Sequence, residues 1–395
     1  MEIQGIGNAF ASRFAFGNTM SVDINSAVHF VESFGVLQED IPLNSMNFYN
    51  IARNVKEGKV KFIQAVSDGY ITKPRPAACA WDPIGGISFN KAEVSLCPHN
   101  IQLENCVEEI PGWEGIYGQG NDVEDLLASE FGTKCYEELI SAIYRMIGND
   151  MAKISHLGKH PIIASAEASY TGDAAKFARI KKTMNVCGGW LTLVDALKAQ
   201  GEAHYNVVIN PDHVNGDLYT GDPDALFMSL TRAMTTEMRT LIANKRAYGI
   251  RPVIMVTGGI YDAYIDWLND EYKTIPDMLY YKLNDQFCAQ IGCAGGEIPE
   301  GIIGWKGMWI KRMDVWDSIT SDIQVTHHRA LLTVPKNLGI GLDVQELSGY
   351  QGMGLRVEQS KQLDKVGKLF ASTNYRMGTG IVDDRFVVNA SHWAA

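Results

Sequence analysis

Residues 60–106 read VKFIQAVSDGYITKPRPAACAWDPIGGISFNKAEVSLCPHNIQLENC. Val60, Phe62 and then Val66 alternate with more polar neighbours, the period-two mark of a half-buried strand. Lys73-Pro74-Arg75-Pro76 and Asp82-Pro83-Ile84-Gly85-Gly86 follow, where proline fixes a turn φ and glycine supplies a positive one, so the chain reverses. On the way back Ile87 and Phe89 share one parity, Val94 and Leu96 take the other, and Ile101 and Leu103 return to the first. Such slips predict a bulge or a twist. Together these pieces predict a long hairpin from about Val60 to Cys106. A two-stranded hairpin is marginal in water by itself, and between Lys73 and Asn90 its apolar groups are chiefly Trp81, Ile84, Ile87 and Phe89. It must lie on something, and these four residues are the candidates for that contact.

Upstream, residues 1–59 carry Gly- and Asn-rich pieces around one short helix expected near Ser26 to Phe34, the pattern of an extended arm. Downstream the period becomes helical: Leu127, Phe131, Tyr136, Leu139, Ile140, Ile143, Tyr144 and Ile147 recur at threes and fours. Asn121 or Asp122 can cap this helix and Gly148-Asn149 can end it. At 1.5 Å per residue it would be roughly 40 Å long. Beyond His160 helices and strands alternate. Helices are expected near Gly189 to Ala199, Asp222 to Ala243 and Tyr261 to Tyr272, with strands at Tyr205 to Ile209 and Pro252 to Val256. From Gly301 the chain turns β-rich, with strands at Trp305 to Ile310, Ala330 to Val334, Lys368 to Phe370 and Phe386 to Val388.

The chain is 395 residues long, 46% hydrophobic and 21% charged, which predicts an ordered protein with more than one compact region. A net charge of −11 and a pI near 5.3 argue against a protein that grips nucleic acid by counterion release, which needs clustered Lys and Arg. Mild negative charge suits a container for nucleic acid better than a binder. The longest apolar runs, such as Val253 to Val256, are far short of a membrane span, and the N-terminus does not read as a signal peptide. The seven cysteines, at 79, 97, 106, 135, 187, 288 and 293, form no CxxC pair and read as reduced thiols.

Catalytic signatures are sparse. There is no Gly-Lys-Ser/Thr phosphate loop, no Gly-x-Ser-x-Gly elbow and no His-Glu-x-x-His helix. Val256-Thr257-Gly258-Gly259 follows a strand and opens a helix, where backbone N–H groups could hold phosphate, but without a third Gly or a Lys it reads as a tight turn. His327-His328 would point to opposite faces of a strand and reads as a pair of surface or loop histidines. Asp212-His213 sits in a polar loop and reads as turn chemistry. Cys288 and Cys293 lack companions for a zinc site.

The order of parts (arm, long hairpin, long helix, mixed α/β region, returning strands) resembles the Hong Kong 97-type fold of tailed-phage major capsid proteins. Ala80 to Phe89 is similar to the tip and return strand of the extended loop in capsid proteins of phages infecting Bacteroidetes. Arg251 to Val256 with Tyr261, Tyr264 and Leu268 resembles a strand and helix of the axial domain. Trp305 to Met313, Arg329 to Asp343 with its Lys336-Asn337-Leu338-Gly339-Ile340-Gly341, and Lys368 to Arg385 with Arg376-Met377-Gly378 resemble the late strands.

The resemblance implies an α+β fold. It would comprise an arm at 1–59, an extended-loop hairpin at 60–106, a peripheral domain at 107–157 and 355–380 with a spine helix at 121–148, and an axial α/β domain at 158–354 and 381–395. It further implies a subunit that self-assembles into hexamers and pentamers, closing an icosahedral or prolate head around double-stranded DNA inside the host cytoplasm. Portal and scaffolding or decoration proteins would be its partners, with no enzyme activity, cofactor, metal or membrane. Trp81, Ile84, Ile87 and Phe89 at the loop tip would be intersubunit contacts. Many relatives begin with a cleaved helical scaffolding segment; arm-like sequence here implies a separate scaffold. Some relatives crosslink through a Lys and an Asn, and Lys73 and Lys91 are available, though no local motif assigns them that role. An encapsulin-like compartment of the same fold, with a cargo peptide in place of a genome, and a soluble α/β enzyme are the alternatives.

Overall fold

The computed structural model describes residues 19–21, 49–53, 58–67, 87–106, 146, 148–246, 252–272, 302–343, 356–359 and 368–392. Strands β1 Thr19–Ser21, β2 Asn50–Arg53, β3 Lys59–Ser67, β4 Ile87–Ser95 and β5 Cys97–Cys106 come first. Helices α1 (148–157), α2 Pro161–Ala166, α3 Ala174–Met184 and α4 Trp190–Leu197 follow. Then come β6 Val207–Val208, β7 Val214–Asn215, β8 Leu218–Tyr219, α5 Pro223–Ala233, α6 Thr236–Arg246, β9 Val253–Val256 and α7 Gly258–Tyr272. The last group is β10 Ile302–Trp305, β11 Met308–Arg312, α8 Asp314–Asp322, β12 Arg329–Thr333, β13 Leu338–Asp343, β14 Arg356–Gln359, β15 Lys368–Ile381 and β16 Val387–Ser391.

Two sheets organise these elements. The first is built on β15, whose 14 residues pair along one edge with β5 and along the other with β14 and then β13. β2 extends it in parallel beyond β13, and β1 pairs with β14. In the second sheet the order is β10-β11-β9-β12-β16-β6. Its central strands β9, β12 and β16 are buried at every position, as expected where both faces are covered. Ile254, Val256, Ala330, Leu332, Val388 and Ala390 face Leu226, Phe227, Leu230, Ile260 and Tyr264 of α5 and α7 in one core. The opposite parity faces α4, through Arg329 and Asn389.

Caps explain several boundaries. Pro161 opens α2, where the His160 ring nitrogen accepts from Ile162 N–H at 3.2 Å. Asp173 caps α3, and Asp222 caps α5 by accepting from Asp224 and Ala225 N–H. The single helix expected over 222–243 is two, because Met234 adopts an extended ψ and the Thr235 hydroxyl then caps α6 through Met238 N–H at 3.1 Å. The strand expected from Trp305 to Ile310 is likewise a tight hairpin: Lys306 and Gly307 both take positive φ, as two-residue turns require.

Two further expectations are corrected. The long helix does not stop at Gly148-Asn149: residue 146 and residues 148–157 are helical, and Met151, Ile154 and Leu157 are buried. A glycine costs a helix only about 1 kcal/mol, less than burying that face returns. The end comes at Gly158 and Lys159, the latter at φ 53°. Residues 121–145 lie outside the described residues, as does the helix expected near 26–34. The hairpin also does not run to Cys106. β3 and β4 pair from Lys59↔Ser95 to Ser67↔Ile87, after which β5 leaves to pair with β15. The parity slip around Leu96 is this handover between sheets. β13, within the segment expected to be axial, hydrogen-bonds to β15 and so lies in the same sheet as β5. Among the described residues, no helix is long and apolar enough to cross a membrane.

Candidate functional site

The root of the hairpin sits on a floor of glycine. In β13 and β15, Gly339 pairs with Gly380 and Gly341 with Gly378, so two cross-strand pairs carry no side chain on the hairpin side. A Cβ at Gly339 would lie 2.6 Å from the Phe62 ring, and one at Gly341 would lie 2.5 Å from Val60 Cγ2. At Gly380 it would overlap Val94, and at Gly378 it would meet the Ser95 carbonyl at 2.5 Å. Val60, Phe62, Val94 and Val382 fill this seam as a small core of their own, with Ala52, Ala92 and Leu96 at its edge. Alternate residues of the same strands (Leu338, Ile340, Leu342 and Met377) are buried. Period-two alternation is therefore kept, with glycine taking the place of the usual polar residue.

The other face of the hairpin is open. Lys59, Lys61, Lys91, Glu93 and Ser95 are exposed, and Ile63 is 62% exposed. Lys59 and Glu93 form an ion pair at 2.7 Å, which raises the amine's pKa and lowers the carboxylate's. Gly58 at φ 65° and the bond from Leu96 N–H to the Gly58 carbonyl, 2.8 Å, close the base. Of the four expected contact residues, Trp81 and Ile84 lie outside the described residues. Ile87 and Phe89 open β4, opposite Ser67 and Ala65. The glycine floor was not anticipated, although its signal, Gly339-x-Gly341 and Gly378-x-Gly380, stands in the sequence.

Beneath the floor the hairpin is tied to the rest of the chain. Cys97 and Cys187 form a disulfide with Cα atoms 5.8 Å apart, which corrects the reading of all the cysteines as reduced thiols. Ninety positions separate the two, so no short spacing reveals them. Trp190 donates to the Gly339 carbonyl at 2.9 Å and stacks on Tyr49. Its neighbour His156 is held neutral by burial, which pushes its pKa down to about 3.

A buried polar cluster then joins the helices to the second sheet. Arg329 is fully buried, pairs with Asp195, and donates to Asn389 at 2.9 Å. His160 lies 2.7 Å from Asp195, and Lys198 reaches both Asp195 and Ser391. Burial opposes ionisation of Asp195, yet Arg329, His160 and Lys198 outweigh it and hold the carboxyl well below its usual range. This arrangement is a structural clamp: every charge in it is spent on another part of the fold.

The remaining chemical candidates resolve locally. Gly258 N–H, which could have held a phosphate, donates to Asp317 at 2.8 Å, so the helix terminus already has its anion. A Cβ at Gly258 would lie 2.7 Å from that carboxylate. Asp212 and His213 are exposed on a 3-10 turn whose first amide bonds to Asn210. His327 and His328 are not surface residues: both are buried, His328 bonding to the Gly216 carbonyl at 3.1 Å and His327 packing near His392. They precede β12 instead of lying on it, so strand alternation does not separate them. Among the described residues, no group of three His, Cys, Asp or Glu could hold a metal ion. Cys288 and Cys293 lie outside the described residues.

No family profile and no curated protein matches the chain. Among solved structures it is similar to a chain of the satellite phage P4 procapsid, a particle described as including the size determination (Sid) protein. The identity is 11%, the match covers 99% of this chain and 98% of that one, and the TM-score is 0.52. Looser matches, to the capsid of Ralstonia phage GP4 and to Mycobacterium phage Ogopogo, each have 10% identity. They cover 87% and 88% of this chain, and 87% and 91% of those chains, with TM-scores of 0.41 and 0.42. At such identities a match speaks to fold alone, and the P4 match, running end to end, supports one reading of it: the chain has the expected α+β, Hong Kong 97-like capsid fold.

Proposed function

We propose that the chain is a shell subunit, the major capsid protein of a tailed bacteriophage, whose role is structural and not catalytic. Copies of it form hexamers and pentamers that close an icosahedral or prolate head around double-stranded DNA, with portal and scaffolding or decoration proteins as partners. The resemblance of Ala80 to Phe89 to proteins of Bacteroidetes-infecting phages supports such a host range. The observation that carries the proposal is the end-to-end likeness to a procapsid chain, with nearly all of both chains aligned. Since one fold can host many functions, the internal architecture matters as well. A hairpin whose inner face is seated on glycine and whose outer face carries Lys59, Lys61, Ile63 and Lys91 is built to extend from the subunit.

The test is electron microscopy and sedimentation of the purified protein, alone and with its scaffold. Closed shells or capsomers of five and six subunits are expected. A 43.6 kDa species that stays monomeric or dimeric at every concentration overturns the proposal.

A further inference from the structure

We propose that Cys97 and Cys187 form a redox-operated clasp that fixes the hinge of the hairpin. Cys97 is the first residue of β5, immediately after the handover at Leu96, where the chain leaves the hairpin for the first sheet. Cys187 lies in the turn between α3 and α4, whose backbone presses on the end of α1: a Cβ at Gly189 would lie 2.5 Å from the His156 carbonyl. The bond thus joins the hinge to a segment wedged against a buried helix end. The floor under the hairpin has no side chains to interlock with it, so the disulfide adds a covalent tie to a hinge otherwise held by the backbone ladder of β5 with β15, the bond from Leu96 N–H to the Gly58 carbonyl and the small seam around Val94.

Both redox states are provided for. The pair has the Cα spacing of a disulfide, 5.8 Å. Cys187 Sγ also lies 3.3 Å from the Met377 carbonyl, an acceptor ready for a thiol proton once the bond is open. Access is unequal: Cys97 is half-buried, whereas Cys187 is 4% exposed. Closing therefore begins at Cys97. Its thiolate attacks a low-molecular-weight disulfide, forming a mixed disulfide and expelling one thiolate. Cys187 then attacks the Cys97 sulfur, forming the protein bond and expelling the second. Two protein thiols lose two protons and two electrons, and the small disulfide becomes two thiols. Opening is the reverse, with a thiol reductant attacking Cys97.

The inference concerns the subunit alone and stands apart from the shell reading. It is tested on the full chain treated with oxidised glutathione or with dithiothreitol, blocked by acid alkylation and mapped by mass spectrometry. Amide hydrogen exchange is followed over 58–67 and 87–106. Oxidised protein should yield the Cys97–Cys187 peptide, and reduction should raise exchange at the hairpin root several-fold while lowering Tm by roughly 5 °C. The Cys97→Ser, Cys187→Ser double variant should exchange like reduced protein under both treatments. Because reduction needs no substitution, a variant that misfolds leaves the wild-type comparison standing. Pairing of Cys97 with a different cysteine, two free thiols after oxidation, or equal exchange at the root in both states overturns the clasp.

Discussion

Single residues of this fold are constrained mainly by what they touch. Gly380 has no room for a methyl group beside Val94. Gly380→Ala is expected to cost about 1–3 kcal/mol by overpacking. Combining it with Val94→Ala should cost at least about 1 kcal/mol less than the two changes summed, read from denaturant midpoints in a double-mutant cycle. Additive costs would mean the hairpin does not rest on that glycine. Arg329→Met leaves Asp195 buried without its strongest partner, so a loss of about 3–5 kcal/mol is expected in the same measurement. Asp317 behaves in the opposite sense. Burial raises its pKa to about 6, against the Gly258 amide and Arg312, which favour the charged form. A carboxyl with a raised folded-state pKa contributes most stability below about pH 4 and loses it as pH rises to about 6. Asp317→Asn keeps an acceptor for Gly258 without titrating. Relative to wild type it should gain up to about 3 kcal/mol between pH 4 and pH 6.5; a constant difference across that range would sink the assignment.

Among elements, the hairpin separates folding from assembly. Its root is part of the subunit's own packing, through Val60, Phe62 and Val94. Replacing residues 74–84 with a short Gly-Ser turn should leave circular dichroism and Tm near normal yet abolish closed shells under the electron microscope. Trp81→Ala should lower particle yield with the subunit still folded. Normal shells from the shortened chain would contradict an assembly role, and failure to fold would place the segment in the subunit's core. The paired strands were legible because Val60, Phe62 and Val94 alternate with charge. β15 was legible only at its apolar start, Lys368 to Phe370, because its later residues are mostly small or polar and include Gly378 and Gly380, which face the hairpin. α3 escaped notice because only Phe177 and Met184 are buried on it, too few to set a period. α8 has such a stripe, in Val315, Trp316 and Ile319, but it is only nine residues long and follows directly on a strand. The disulfide and the clamp around Arg329 join residues too distant for any local pattern to reveal.

For the molecule as a whole, the charge and the topology each set an expectation. With a net charge of −11, the free subunit should show no measurable affinity for duplex DNA by fluorescence anisotropy at 150 mM salt. Tight binding that weakens steeply with salt would point instead to a basic surface that composition conceals. The glycine floor bears on how the protein is made. The hairpin strands leave the ribosome early, but the floor they rest on includes Gly378 and Gly380, roughly 300 residues later. At translation rates of about 5–20 residues per second, Val60, Phe62 and Val94 wait roughly a quarter of a minute to a minute for their seat. During that interval the nascent chain carries a strand pair with an uncovered apolar face, while neighbouring ribosomes on the same message expose identical ones. Strand edges of this kind are where newly made chains find each other prematurely, and charged side chains such as those of Lys59, Lys61, Lys91 and Glu93 are the kind that discourage such pairing before β15 has been synthesised.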